Sequence, residues 1–224
     1  FERSAKTLDL RVPLGKEKIK KIALELVKKN KCKEASIRLV LSGGPTDDGA
    51  TYNPKKPTFM ILIEDIYNYP ASCYKKGAKL ITNEFQRQLP EAKHVNYINS
   101  IRLAKKKKQK GATEILYVLN NKIFEVATGN FFIFKGATLM TPKDGVLGGI
   151  MRKIVMKLAK KKFKVEEREL SLKDLDSANE AFITSSNKPV MPVVDIDGEK
   201  IGTGKIGENT RYLMAEMEKY MKAY

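Results

Sequence analysis

The chain has 224 residues, with 43 Lys plus Arg against 26 Asp plus Glu and a formal net charge of +17. That length can hold one large domain or two small ones around a buried core, and 42% hydrophobic with 31% charged residues is an ordinary globular composition. No apolar run approaches the roughly 18–20 residues that span a bilayer, and the opening residues lack the pattern of a signal peptide, so membrane insertion is not expected.

In chain order, residues 1–10 read as the tail of a helix. Gly15 introduces a second helix, in which Ile19, Ile22, Ala23, Leu26 and Val27 recur at three- and four-residue steps and define a core face. Ser36–Ser42 is strand-like and ends in Gly43-Gly44-Pro45; a polar loop from Thr46 to Pro57 leads to a second strand over 58–65. Tyr67-Asn68-Tyr69-Pro70 looks like a link between domains. Residues 78–83 form the next strand, followed by the segment Glu91-Ala92-Lys93-His94-Val95-Asn96-Tyr97 and a helix from Ile98 to Lys110. Four short strands are expected at 114–119, 122–126, 130–134 and 138–141, with Asn120-Asn121 and Lys135-Gly136 as hairpin turns. Leu147-Gly148-Gly149 opens a helix with Ile150, Ile154, Val155, Leu158 and Ala159 on one face. A strand at 164–169, a short helix from Ser171, strands at 180–185 and 190–196, and a last helix from about Glu208 complete the pattern. Without strict βαβ alternation, this is an α+β chain rather than a doubly wound sheet. The expected division is a small α/β domain over 1–68, a linker over 69–77 and a large domain over 78–224.

Cys32 and Cys73 form no ligand or framework pattern, which makes a reducing, cytoplasmic setting the expectation. The excess of lysine is spread over helix faces, with one dense run at 105–110. No RNA-binding aromatic signature, zinc spacing or basic-leucine heptad accompanies it, so it reads as solvated surface and not as a nucleic-acid site.

Four places could carry chemistry. Lys93 is a candidate nucleophile, since a lysine amine made neutral can attack a carbonyl carbon and form a Schiff base. Glu125 stands in Ile123-Phe124-Glu125-Val126-Ala127-Thr128-Gly129-Asn130, where burial would require a cationic partner; a strand-edge glutamate facing water is the plainer reading of that segment alone. Gly148-Gly149 before a helix lets the backbone approach an anion and presents unpaired N–H groups, or is mere punctuation. Thr184-Ser185-Ser186-Asn187 offers hydroxyls either to a phosphate or carboxylate or to the next turn. His94 is the only histidine, and without a Ser, Cys or second His in a plausible sequence relation to it neither a triad nor a metal site is expected.

Taken in order, these features resemble the fold type IV (class IV) pyridoxal-phosphate enzymes: branched-chain aminotransferases, D-amino-acid aminotransferases and aminodeoxychorismate lyases. Glu125, Ala127, Asn130, Phe131, Phe132, Leu139, Thr141, Leu147, Gly149, Ile150 and Arg152 match the family's central signature in sequence. The resemblance implies a two-domain fold of the D-amino-acid aminotransferase kind and a homodimer whose active site lies at the domain interface. It also implies pyridoxal 5'-phosphate as cofactor, with an amino acid and a 2-oxo acid such as 2-oxoglutarate as substrates. It makes Lys93 the residue that forms the imine with the cofactor and moves the proton. Glu125 becomes the partner of the pyridine nitrogen, and Ile150 and Met151 N–H with the Ser185 and Ser186 hydroxyls the phosphate site. Tyr97 is implied to contact the cofactor's phenolate oxygen.

Some positions depart from the pattern. The family's phosphate-binding arginine would fall one residue before Phe1, which reads as a small domain lacking its first part. Met151 stands where threonine is usual, and the loop 142–146 is about one residue short. The loop 44–57 contains neither residue of the Arg-x-His pair by which D-amino-acid enzymes hold a carboxylate. L-branched-chain substrates are therefore favoured over D-amino acids, and both over a lyase. A non-catalytic basic binding protein on the same scaffold is the rival from another class.

Overall fold

The computed structural model describes residues 1–49 and 51–223. It divides into two compact units, Phe1–Asn68 with Ala92–His94, and Tyr69–Glu91 with Val95–Tyr224.

The first unit contains α1 (Glu2–Thr7), α2 (Lys16–Lys29), β1 (Ser36–Ser42) and β2 (Thr58–Glu64). β1 and β2 pair antiparallel in a continuous register from Ser36 opposite Glu64 to Ser42 opposite Thr58. The long loop between them closes at Gly44, whose φ of +78° and approach to the Lys56 carbonyl leave no room for a side chain. Ala5, Ala23 and Ala92 are its buried apolar residues.

The second unit contains α3 (Ala71–Lys75), β3 (Ala78–Glu84), α4 (Ile98–Arg102), α5 (Ala104–Gln109) and β4 (Glu114–Leu119). It continues with β5 (Lys122–Val126), β6 (Asn130–Lys135), β7 (Thr138–Pro142), α6 (Ile150–Ala159), β8 (Lys164–Arg168), β9 (Leu170–Ser171) and α7 (Leu172–Asp176). β10 (Glu180–Ser185), β11 (Lys188–Ile196), β12 (Glu199–Lys200) and α8 (Glu208–Lys222) complete it. Among the described residues, its strands form one ten-stranded sheet in the order β8-β7-β6-β10-β11-β3-β4-β5-β9, with β12 against β11. β11–β3, β3–β4 and β7–β8 are parallel, and the remaining pairs antiparallel.

The sheet is buried on both faces because its central strands carry runs of consecutive apolar residues, such as Phe131–Phe134 and Ala181–Ile183, and not alternate ones. In β6, Phe131 and Ile133 enter one cluster with Ala181, Ile183, Met191 and Val193. Phe132 and Phe134 enter the other, with Phe182 and with Val155, Leu158, Leu213 and Met217 from α6 and α8. Phe132 and Phe182, directly opposite in the β6–β10 register, stack at 4.8 Å between centroids. Burying an aromatic or large aliphatic side chain of this kind stabilises by roughly 1.5–3 kcal/mol, so these rows dominate the energetics of the unit.

Residues 69–77, expected as a linker, instead carry α3 and belong to the second unit, where Tyr69, Cys73 and Tyr74 pack on the first cluster. Ala92–His94, expected within the large domain, groups with the first unit. The single helix expected over 98–110 breaks at Leu103, whose side chain is held against the Ile81–Tyr117 cluster. No helix among the described residues is long and apolar enough to cross a membrane.

α7 begins with a capping box between Ser171 and Asp174, and Asp174 also takes a 2.7 Å bond from Arg168 Nη2. The hydrogen-bonded Arg168 guanidinium, helped by Ser171, outweighs the opposing effect of burial and lowers the Asp174 carboxyl from 3.8 to about 2. The folded-state value lies below the unfolded one, so this stabilisation is complete above pH 4 and is lost as pH falls toward 2. Asp174→Asn should lower unfolding stability by about 1 kcal/mol at pH 7, after allowing for partial exposure of the pair. Urea titrations at successively lower pH should show that deficit shrinking; a constant deficit would refute the assignment.

Candidate functional site

The turn joining β5 to β6 is the hub of the site. Glu125 is the penultimate residue of β5 and is 3% exposed, which overturns the reading of it as a strand-edge group facing water. Its carboxylate is held by protein at both oxygens: Arg87 Nε donates to Oε1 at 2.6 Å and Leu147 N donates to Oε2 at 3.0 Å. Arg87 is itself mostly buried and also donates to the Pro90 carbonyl at 2.5 Å, so the chain supplies the cation that a buried acid demands. An ionised carboxylate offers about four lone-pair sites.

The Leu147 bond ties Glu125 to the loop that leads into α6. Asn130, first residue of β6, fastens the same loop by donating from Nδ2 to the Leu147 carbonyl at 2.7 Å. Its Oδ1 lies where a side chain on Gly149 would begin, 2.3 Å from an ideal Cβ, so only glycine fits. Gly149 is the N-cap of α6 and provides no side-chain cap, which leaves the first N–H groups of the helix, those of Ile150 and Met151 among them, open to an anion. The Met151 side chain turns away to pack on the α6–α8 cluster, so the absent threonine hydroxyl leaves the backbone donor in place.

The β10–β11 hairpin meets the hub from the other side. A Cβ on Gly129 would stand 2.5 Å from the Thr184 carbonyl and 3.3 Å from Ser185 Cβ, so glycine permits the contact between turn and hairpin. Ser185 is partly exposed and bonded to Asn187 Oδ1 at 2.9 Å; Ser186 is exposed in the two-residue turn. The fold thus gathers Glu125, the start of α6 and the Ser185-Ser186 hydroxyls around residues 125–130.

Lys93 belongs to the first unit, where its N–H donates to Ser4 Oγ at 2.9 Å and its side chain is exposed. Its Nζ has no ion pair or hydrogen bond among the described residues. Tyr97 heads α4 in the second unit, half-buried, with its carbonyl accepting from Ile101 N at 2.9 Å. His94 is half-buried in the first unit, and among the described residues no cluster of His, Cys, Asp or Glu is arranged to hold a metal. A cavity of about 660 Å³ lined by Tyr74, Pro189, Arg211, Met214 and Met217 shares none of these residues.

Local sequence pattern does not single out Arg87 as the partner of Glu125. The signal for Arg87 was present, since an acid in an apolar strand requires a cation and Arg87 precedes Lys93 by one short loop. Lys188 and Glu114 each open an otherwise apolar strand, a pattern that hints at a buried pair only once the strands are placed.

A buried acid, a helix start without a side-chain cap and two adjacent hydroxyls suit a phosphorylated ring with a protonated nitrogen. Comparison with known proteins points the same way. Residues 1–196 match the family described as amino-transferase class IV. A protein of Methanocaldococcus jannaschii, provisionally named branched-chain-amino-acid aminotransferase, is 36% identical over 94% of this chain and 75% of its own length. The D-alanine aminotransferase of Staphylococcus epidermidis is 28% identical over 100% of this chain and 81% of its own. Among solved structures, the T.th. branched-chain amino acid aminotransferase with pyridoxamine 5'-phosphate superposes with a TM-score of 0.85 at 26% identity, covering 100% of this chain and 76% of that one. The Escherichia coli branched-chain enzyme gives 0.87 at 24% identity over 97% of this chain and 76% of its own, a likeness of fold.

Proposed function

The chain belongs to the class IV aminotransferases, which are pyridoxal-phosphate-dependent transaminases, and from that premise we propose that it transfers an amino group between a branched-chain L-amino acid and a 2-oxo acid such as 2-oxoglutarate. Bound pyridoxal 5'-phosphate supplies an electron sink for the carbanion that forms when the substrate Cα loses its proton. Lys93 would hold the cofactor through its amine, and that amine would take up the proton from the substrate Cα. Glu125, anchored by Arg87 and Leu147 N–H, accepts the hydrogen bond of the protonated ring nitrogen. Ile150 and Met151 N–H and the Ser185 and Ser186 hydroxyls hold the phosphate, and Tyr97 donates to the ring's phenolate oxygen. The enzyme acts as a homodimer.

The observation that carries this reading is the convergence of Glu125, Leu147 and Gly149 through two hydrogen bonds and one Asn130 side chain. An L-branched-chain preference is supported by the 36% identity of the M. jannaschii protein and by a loop 44–57 without arginine or histidine. The D-alanine aminotransferase relatives favour a second reading, in which the substrate is a D-amino acid. A single-turnover panel decides between them: enzyme charged with cofactor is mixed with L-leucine, L-isoleucine, L-valine or D-alanine, and release of the 2-oxo acid is followed. Release from the L-branched-chain set alone is expected. Turnover of D-alanine alone would reverse the assignment.

A further inference from the structure

Lys188 is the most deeply buried charge in the second unit, with 0% exposure, and no step of the reaction uses it. Its ammonium donates to Glu114 Oε1 at 2.7 Å, to Thr128 Oγ1 at 2.5 Å and to Tyr69 Oη at 3.2 Å, which uses all three of its protons. Thr128 in turn donates its hydroxyl to Glu114 Oε1, closing a triangle, and Glu114 is 2% exposed. Stability does not account for such a pair. Two charges removed from water lose solvation that their attraction only partly returns, and apolar residues of similar volume usually serve as well or better.

The location is more informative. Lys188 stands directly across from Ser185 in the β10–β11 register, with the Ser186-Asn187 turn between them. Thr128 lies three residues after Glu125 and next to Gly129, whose backbone abuts Thr184 and Ser185. One ammonium therefore joins the turn that follows the acid to the hairpin that bears the hydroxyls, and Glu114 fastens both to the start of β4.

We propose that Lys188, with Glu114 and Thr128, is a positioning group that sets the Ser185-Ser186 hairpin at the height required by the cofactor's phosphate. The proposal rests on the reading of those serines as phosphate ligands. Its consequence is selective: loss of the triangle weakens recognition of the phosphate and leaves recognition of the ring intact.

The test compares binding of pyridoxal 5'-phosphate and of unphosphorylated pyridoxal to apo-enzyme, followed by absorbance, together with thermal melts. In the double variant Lys188→Met/Glu114→Met the melt should stay at or above that of the wild type and pyridoxal should bind unchanged. Pyridoxal 5'-phosphate should bind about tenfold more weakly, the worth of one charge-assisted hydrogen bond. Thr128→Val, which cuts the link to the turn but keeps the ion pair, should show the same selective loss and decides the matter if the double variant does not fold. A wild-type ratio of the two affinities in the folded variants would overturn the proposal and leave the assignment of the serines standing. A wild type that does not prefer the phosphorylated form would remove both.

Discussion

Lys93→Ala should abolish amino transfer while leaving the fold unchanged. The side chain is exposed and makes no ion pair among the described residues, and only its backbone N–H is engaged, by Ser4 Oγ. Truncating it should move stability by no more than about 0.5 kcal/mol, as at other surface positions. In the proposed reaction that amine would serve twice, as covalent carrier and as proton carrier, and removing a positioned base alone costs about 10²–10⁴-fold. Turnover in the variant should therefore fall by at least about 10³-fold with an unaltered melting midpoint. Borohydride treatment followed by peptide mass mapping provides an independent reading: in the wild type the added mass should sit on Lys93 alone, although the chain offers 43 Lys and Arg. Mass spread over several lysines, or a variant that still turns over, would rule Lys93 out.

Much of the fold could be read from residue patterns, and the exceptions have identifiable causes. β1, β4, β5 and β10 fall within a residue of their expected limits because turn residues bracket each one; Asn120 and Asn121, at φ +49° and +63°, form the two-residue turn that their identity suggested. β9 and β12 have two residues each, too few to show a period, and are recognisable only from partners distant in sequence. α3 was hidden by the Tyr69-Pro70 punctuation before it. Chain order also misplaced Lys93. Its neighbours in sequence belong to the second unit, but the Ser4 contact that groups it with the first spans 89 positions. Site chemistry followed the same division. The glutamate and the glycine-led helix are visible as local motifs, whereas Arg87–Glu125 and Lys188–Glu114 are ion pairs between residues 38 and 74 positions apart, which no local window contains.

The Arg87–Glu125 pair gives the second large effect, in two separable parts. Glu125→Gln keeps the shape but has one acceptor oxygen where the native group has two, so either Arg87 Nε or Leu147 N must face an amide NH₂. The Arg87 guanidinium, 11% exposed, then loses its counter-charge, and breaking a buried pair from one side costs about 3–5 kcal/mol. Removing both ends, as in Glu125→Leu/Arg87→Leu, should return most of that stability, since no charge is left stranded. Activity should not return with it. In the proposed reaction the acid would stabilise charge on a bound ring through a preorganised contact, and loss of one such contact lowers turnover by about 10²–10³-fold. Chemical denaturation and turnover measured side by side should thus diverge, with the single variant poor in both and the double variant poor only in catalysis. If stability and turnover recovered together, Glu125 would be a structural anchor for the Leu147 loop and nothing more.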